Sequence, residues 1–343
     1  MPKASYPLAQ DLQRSLVQFL TRSPWVVFGV AVIGAVGLFC FYWGFASFLI
    51  LIRNMILPGR SLKKYGAGGD CWAVVTGATE GLGKEFARQL AAKGFHVHIV
   101  GRNRQKLNDV AQGIQSDFQR KASICIIDFA TAGYNDYARL ESSIQDKDIS
   151  VLINNVGVSH SIPVPFAEVD FAEISNIVTV NNMATLHVTS IVLKRLAKRQ
   201  NGLILTIGSF AGLFPTPYLA AYSGSKAFLQ NWSISLAAEM KPAGVDVEFI
   251  LSYLVVSAMS KVRRPSLFVP SAKTFVKKTL GSLGLYGDRS FTVTPYWVHA
   301  LMQWIIVKGI TEWSGFGLGI NLNMHAKIRN RALRKLGNDK KTQ

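Results

Sequence analysis

The sequence is poor in cysteine, in histidine and in acidic residues. Its three cysteines, Cys40, Cys71 and Cys125, are odd in number and unpatterned along 343 residues. That argues against a disulfide framework and for a reducing, cytosol-facing catalytic domain. The six histidines (His96, His98, His160, His187, His299 and His325) show no ligand spacing, so they are read as structural or surface residues and no metal is expected. Asp and Glu number 20 against 38 Lys and Arg, a net charge of +18. Such a surplus suits nucleic acid, an anionic membrane surface or a phosphorylated substrate. No zinc-finger spacing, RNP-like aromatic motif or basic zipper accompanies it, and nucleic acid is not expected. Charged residues make up only 17% of the chain and hydrophobic residues 49%, an unusually apolar balance for a soluble protein.

Much of the apolar excess is in one place. Trp25 to Ile52 is a run of 28 residues without a charge, bracketed by Arg22 and Arg53. A bilayer core takes about 20 apolar helical residues, so the run reads as a transmembrane anchor over 25–52. A signal peptide would be shorter and nearer the start, with a small-residue cleavage site after it. Residues 1–24 read as a tail and 53–70 as a basic, glycine-containing linker. Lys340 and Lys341 match a dilysine retrieval signal of endoplasmic reticulum membrane proteins, which places the main domain and C-terminus in the cytosol.

Beyond the linker, short apolar runs at 72–76, 95–100, 123–127, 150–153, 203–207 and 245–250 alternate with amphipathic stretches at 82–93, 103–117, 173–199 and 218–240. This alternation predicts an α/β domain, a Rossmann-like doubly wound parallel sheet over 71–290. No seventh strand stands out. In 252–290, seven of eight charges are positive, which marks a substrate loop, and 291–343 is apolar and then basic. The run 295–307 either lies in a membrane interface or lines an acyl channel, and the tail from His325 to Lys341 suits a membrane-surface helix.

The first strand leads into Thr76-Gly77-Ala78-Thr79-Glu80-Gly81-Leu82-Gly83 and then a helix. Glycines at such a turn let the backbone approach a pyrophosphate, whose charge meets the helix N-terminus. The second predicted strand ends at Arg102, where an NAD site would carry a carboxylate. Arg102 suits a 2′-phosphate, hence NADPH, although a solvated arginine opening a helix is the plainer alternative. Asp128 after the third strand is placed to meet the adenine, and Asn154-Asn155-Val156-Gly157 after the fourth to wall its pocket. Tyr222 and Lys226, at i and i+4, share a helix face, with Ser209 thirteen residues before Tyr222.

Together these motifs resemble the short-chain dehydrogenase/reductase superfamily over about residues 70–260. The resemblance implies Tyr222 as general acid/base, Ser209 as the group holding the substrate carbonyl, and Lys226 on the nicotinamide ribose, lowering the tyrosine pKa. It implies Asn181, beside Asn182, in a proton relay. Cofactor contacts follow at Gly77, Thr79, Glu80, Gly81, Leu82 and Gly83, then at Arg102, Asp128, Asn155 and Gly157, with Val256 and Ser257 near the carboxamide. The family's usual Pro-Gly after the sixth strand is replaced by Leu251-Ser252-Tyr253.

The anchor, the segment Lys261-Val262-Arg263-Arg264-Pro265 and the dilysine end resemble the very-long-chain 3-oxoacyl-CoA reductases of fatty-acid elongation, particularly fungal ones. That resemblance implies NADPH-dependent reduction of a long-chain 3-oxoacyl-CoA at the endoplasmic reticulum membrane. The condensing enzyme, dehydratase and enoyl reductase of elongation would be its partners. Lys261, Arg263, Arg264, Lys273, Lys277 and Lys278 would meet the CoA phosphates or, equally, lipid headgroups. The same four site residues would serve a 17-ketosteroid or 3-ketosphinganine reductase, because pocket shape sets the ketone. A non-catalytic elongase scaffold is a third reading, opposed by the intact Ser–Tyr–Lys set.

Overall fold

Short runs rich in Val, Ile and Leu, bounded by turns, become the strands of one parallel sheet. The computed structural model describes residues 11–12, 14–15, 17–18, 23–312 and 314–339, the side chains of 336–339 excepted. The dilysine end and most of the N-terminal tail, including Arg22, lie outside the described residues. Two compact units divide the chain, Met1–Ile50 and Leu51–Gln343.

The uncharged run forms helix α1, Pro24–Ile56, whose mean hydropathy of 2.2 over its most apolar window comes with none of that window buried. At 33 residues it is roughly 50 Å long, ample for a hydrocarbon core of about 30 Å. By length and composition α1 can cross a membrane.

In the second unit the strands are β1 (Trp72–Thr76), β2 (His96–Gly101), β3 (Ala122–Ile126), β4 (Ile149–Asn154), β5 (Gly202–Ile207), β6 (Val245–Ile250) and β7 (Thr292–Val293). Their order is β3-β2-β1-β4-β5-β6-β7, every pair parallel. The chain reverses its direction of travel across the sheet between β1 and β4, the switch point where such sheets open a crevice at their strand ends. β7 was not foreseen: two residues are too few for any periodicity, and they lie past position 290. Leu251 N–H donates to Val293 O at 2.9 Å and holds it in place.

The helices are α2 (Gly81–Ala92), α3 (Arg104–Phe118), α4 (Tyr134–Ser143), α5 (Phe171–Val178), α6 (Ala184–Arg199), the single turn α7 (Phe210–Leu213), α8 (Ala220–Met240), α9 (Ala272–Gly281), α10 (Trp297–Ile305) and α11 (Gly315–Asp339). One face of the sheet packs Phe86, Leu90, Leu107, Ile114 and Phe275 from α2, α3 and α9. The other packs Leu140, Val188, Val192 and Leu236 from α4, α6 and α8. With both faces covered, the strands are continuously buried, as β2, β4 and β5 are at every residue. His98 and His299 sit in this interior, each held near pKa 4 by burial, a structural role for both.

The stretch 53–70, read as a linker, is packed into this unit. Leu62 and Tyr65 of a 3₁₀ turn are core residues. Arg60 and Lys64 pair with Asp246 at 2.8 and 2.5 Å, and Tyr65 donates to the same carboxylate at 2.7 Å. Nearby, Glu248 is fully buried on β6, accepting from Gly284 N–H at 2.8 Å, with Arg60 3.8 Å away. Burial raises its pKa from 4.5 to about 7, and Arg60 only partly offsets this. Because the folded-state pKa exceeds the unfolded one, the stability it contributes is complete below about pH 4.5 and is lost as pH rises through about 7. Glu248→Gln is therefore expected to remove a downward drift of a few degrees in the wild-type thermal midpoint between mildly acidic and mildly alkaline pH. Parallel drifts in the two proteins would contradict this.

Candidate active site

The crevice at the switch point is built on glycine. Gly77 and Gly81 have φ of +64° and +57°, values that glycine adopts without strain. At Gly83 a Cβ would strike Gly77 O and come within 2.5 Å of Asn155 Nδ2, so the first turn of α2 rests directly on the end of β1. Asn155 Nδ2 braces the turn by donating to Thr76 O at 3.0 Å and Gly77 O at 3.1 Å. Glu80 occupies the N-cap of α2 without capping it through its side chain. Its carboxylate pairs with Lys106 at 3.0 Å, and the first backbone N–H groups of α2 stay available for an anion.

One cavity of about 860 Å³ opens over this turn. Thr79, Glu80, Gly81 and Leu82 line it together with Gly77. Arg102, Asp128, Asn155, Gly157 and Ser257 enter it from the loops after β2, β3, β4 and β6. Arg102 is exposed and makes no ion pair among the described residues. Gly83 and Val256 do not reach the cavity: the first is spent on packing, and Val256 N–H donates to Pro270 O at 3.0 Å. This cradle fits a dinucleotide, with a glycine turn and open helix N-terminus for the pyrophosphate and a free arginine beyond.

Ser209, Tyr222 and Lys226 meet in the same cavity. Ser209 ends the β5 loop as N-cap of α7, its Oγ accepting from Ala211 N–H at 3.2 Å. Gly212 in that turn lies so close to α8 that a Cβ would sit 2.8 Å from Lys226 Cβ, which fixes Ser209 against the Tyr222 helix. Lys226 is only 5% exposed; its Nζ donates to Ile207 O at 2.9 Å and stands 6.0 Å from the Tyr222 ring centroid. Burial without a counter-charge lowers its pKa to about 8. Burial raises the Tyr222 phenol, opposed by its hydrogen bond with Ser209. Desolvation and the Ser209 hydrogen bond set the direction of this shift, and Lys226 is not among its causes. A phenol that keeps its proton at neutral pH is nonetheless the form able to protonate a carbonyl oxygen.

Asn181 lies in a π-helical segment, Thr179–Met183, between α5 and α6, where the sequence suggested one continuous helix. Both ends of its amide are engaged: Nδ2 donates to Val158 O at 3.0 Å and Ser225 Oγ at 2.9 Å, and Oδ1 accepts from Val158 N–H at 2.7 Å. Asn182 donates to Ser225 O at 2.9 Å. The bulge turns both buried amides towards α8. Asn181 does not line the cavity, yet a Cβ on Gly157 would lie 3.3 Å from its Oδ1 and 3.5 Å from Lys226 Nζ. Its side chain holds the wall beside Lys226.

Of the six basic residues expected near a CoA, only Lys261 lines the cavity; its Nζ donates to Ser161 O at 2.6 Å. The run 295–307 does supply lining, through Met302 and Ile306. The helix expected on a membrane surface from His325 starts earlier, at Gly315, and its Ile320, Met324 and Ile328, spaced at every fourth residue, line the cavity.

The short chain dehydrogenase family description matches residues 71–267. The very-long-chain 3-oxoacyl-CoA reductase of Neurospora crassa is 52% identical over 87% of this chain and 90% of its own. Among solved structures, a 7beta-hydroxysteroid dehydrogenase aligns with TM-score 0.65 at 19% identity over 77% of this chain and 98% of its own. A short-chain dehydrogenase of Sphingobium yanoikuyae in complex with NADPH aligns with TM-score 0.59 at 22% identity over 70% and 93%. A parallel seven-stranded sheet, a glycine turn at its switch point and a match over more than half the length agree: this chain belongs to the short-chain dehydrogenase family.

Proposed function

We propose that the chain reduces very-long-chain 3-oxoacyl-CoA to 3-hydroxyacyl-CoA with NADPH, in microsomal fatty-acid elongation. The observation that carries this reading is the continuity of one cavity from the glycine turn, past Tyr222 and Ser209, to an apolar wall made by Met302, Ile306 and α11. A ketone at the end of a long hydrocarbon fills such a site, and relatives at about half identity are named for that reaction. When bound, NADPH supplies the hydride that reaches the carbonyl carbon. Tyr222 gives its proton to the carbonyl oxygen as negative charge develops there. Ser209 Oγ–H holds that oxygen, and Lys226 offers positive charge beneath the phenolate that remains. Asn181 positions the Gly157–Val158 wall against Lys226.

Preference for NADPH rests on Arg102, a guanidinium without an ion pair among the described residues, at the position where an NAD site carries a carboxylate. Arg102→Asp is expected to raise the KM for NADPH roughly a hundredfold and to improve use of NADH. An unchanged ratio of the two cofactors would remove Arg102 from the 2′-phosphate site. The anchor α1 supports a membrane location, and relatives named for the elongation reductase support the endoplasmic reticulum, with a cytosolic domain beside the condensing enzyme, dehydratase and enoyl reductase of elongation. A side-by-side assay with long-chain 3-oxoacyl-CoA, a 17-ketosteroid and 3-ketosphinganine decides the substrate. Turnover confined to the steroid or the sphingoid base would replace the acyl-CoA assignment.

A further inference from the structure

The last helix gives the cavity a wall that is unfinished as it stands. Leu318, Ile320, Met324 and Ile328 of α11 line the cavity yet remain 44, 49, 40 and 42% exposed. Ile320, Met324 and Ile328 lie at every fourth residue and share one helix face. Met302, Ile306 and Ile310 line the same space. Apolar side chains gathered on a cavity and left open to water call for an apolar occupant.

Helix α11 is held in register by polar contacts at two levels. Asn321 Nδ2 donates to Pro215 O at 2.8 Å. Arg329 donates to Pro163 O at 2.9 Å and pairs with Glu168 at 2.6 Å. These contacts tie the helix to the loop after Ser209 and to the loop after Gly157, so the wall is set relative to the reacting groups.

We infer that this face of α11 is the acyl-tail wall, along which the saturated chain of a 3-oxoacyl-CoA lies, and that Ile320, Met324 and Ile328 set chain-length preference. The inference rests on the acyl-CoA reading above. Gly317 to Ile328 is roughly 16 Å of helix, about half of a hydrocarbon core of roughly 30 Å and therefore the depth of one leaflet. A tail of ordinary lipid length is matched by the wall. A very long tail outruns it and leaves through the open, exposed side without being refused. Affinity then rises about fourfold for each methylene laid on the wall and levels off once the wall is covered.

The test is NADPH oxidation by the full chain in phospholipid nanodiscs with acetoacetyl-CoA, 3-oxooctanoyl-CoA and 3-oxopalmitoyl-CoA, for wild type, Met324→Asp and Met324→Leu. Met324→Asp is expected to raise the KM for 3-oxopalmitoyl-CoA about tenfold or more, to leave kcat/KM for acetoacetyl-CoA within about twofold, and Met324→Leu to behave as wild type. Retained acetoacetyl-CoA turnover shows that the variant is folded. Equal loss at all three lengths overturns the inference and gives the stripe to the bilayer surface. No change at any length puts the tail elsewhere. If the wild type reduces none of the three while binding NADPH, the acyl-CoA reading itself fails, and the tail wall with it.

Discussion

Tyr222→Phe is expected to lower turnover of a long-chain 3-oxoacyl-CoA by about 10²–10⁴-fold, with NADPH affinity within about twofold of wild type. The substitution removes one oxygen and leaves the ring in place on α8, so the cavity keeps its shape. What is lost is the phenol that hydrogen-bonds Ser209 and stands beside Lys226 in the cavity. Burial keeps that phenol protonated, which suits it to give a proton in the reducing direction. Water is a poor substitute in a site lined by Phe210, Phe214 and Met302. The check is a pair of titrations, NADPH oxidation for turnover and cofactor fluorescence for binding. A variant that keeps more than about a tenth of wild-type turnover would take the proton-donor role away from Tyr222.

Lys226→Met is expected to cost about a hundredfold in kcat/KM and, unlike Tyr222→Phe, to weaken NADPH binding as well. Lys226 is buried, and among the described residues its ammonium donates to Ile207 O. Its other donors are left for the cofactor and for the phenolate formed once the proton has moved. The pKa of about 8 gives the pH dependence. Below that value Lys226 is charged and supports the phenolate; above it the charge is lost, and wild-type turnover declines as pH rises through about 8. The residual rate of Lys226→Met should show no such limb. A limb at the same pH in the variant would assign the titration to another group.

Much of the fold and the polar half of the site could be read from the sequence, because both depend on local pattern. A strand covered on both faces must be apolar throughout, which makes β1 from Trp72 to Thr76 visible as a run. Gly77 and Gly81 stand out because a turn with positive φ is a local demand, whereas Gly83, expected at the cofactor, packs against Gly77 and Asn155. Tyr222 and Lys226 are joined by the pitch of a single helix. What escaped the sequence depends on distant partners. Arg60 and Lys64 look like solvated linker charges until Asp246 and Glu248 are brought to them by β6. The π bulge at Asn181 follows from hydrogen bonds to Val158 and Ser225, neither near it in the chain. Lys273, Lys277 and Lys278 cluster with Lys261 in sequence, but α9 carries them away from the cavity that Lys261 reaches. Helix α11 has the charge of a membrane-surface helix, and only its contacts at Pro215 and Pro163 show that its apolar side faces the cavity.

The most direct test of the central claim follows the hydride itself. The purified full chain is given NADPH deuterated on the transferring face of its nicotinamide together with 3-oxopalmitoyl-CoA, and the product is examined by mass spectrometry. The account predicts 3-hydroxypalmitoyl-CoA with one deuterium at its hydroxyl-bearing carbon for each NADPH oxidised, and a loss of that product in Tyr222→Phe. Bound NADPH that passes no deuterium to the acyl-CoA, or equal labelling by the Tyr222→Phe protein, would contradict it.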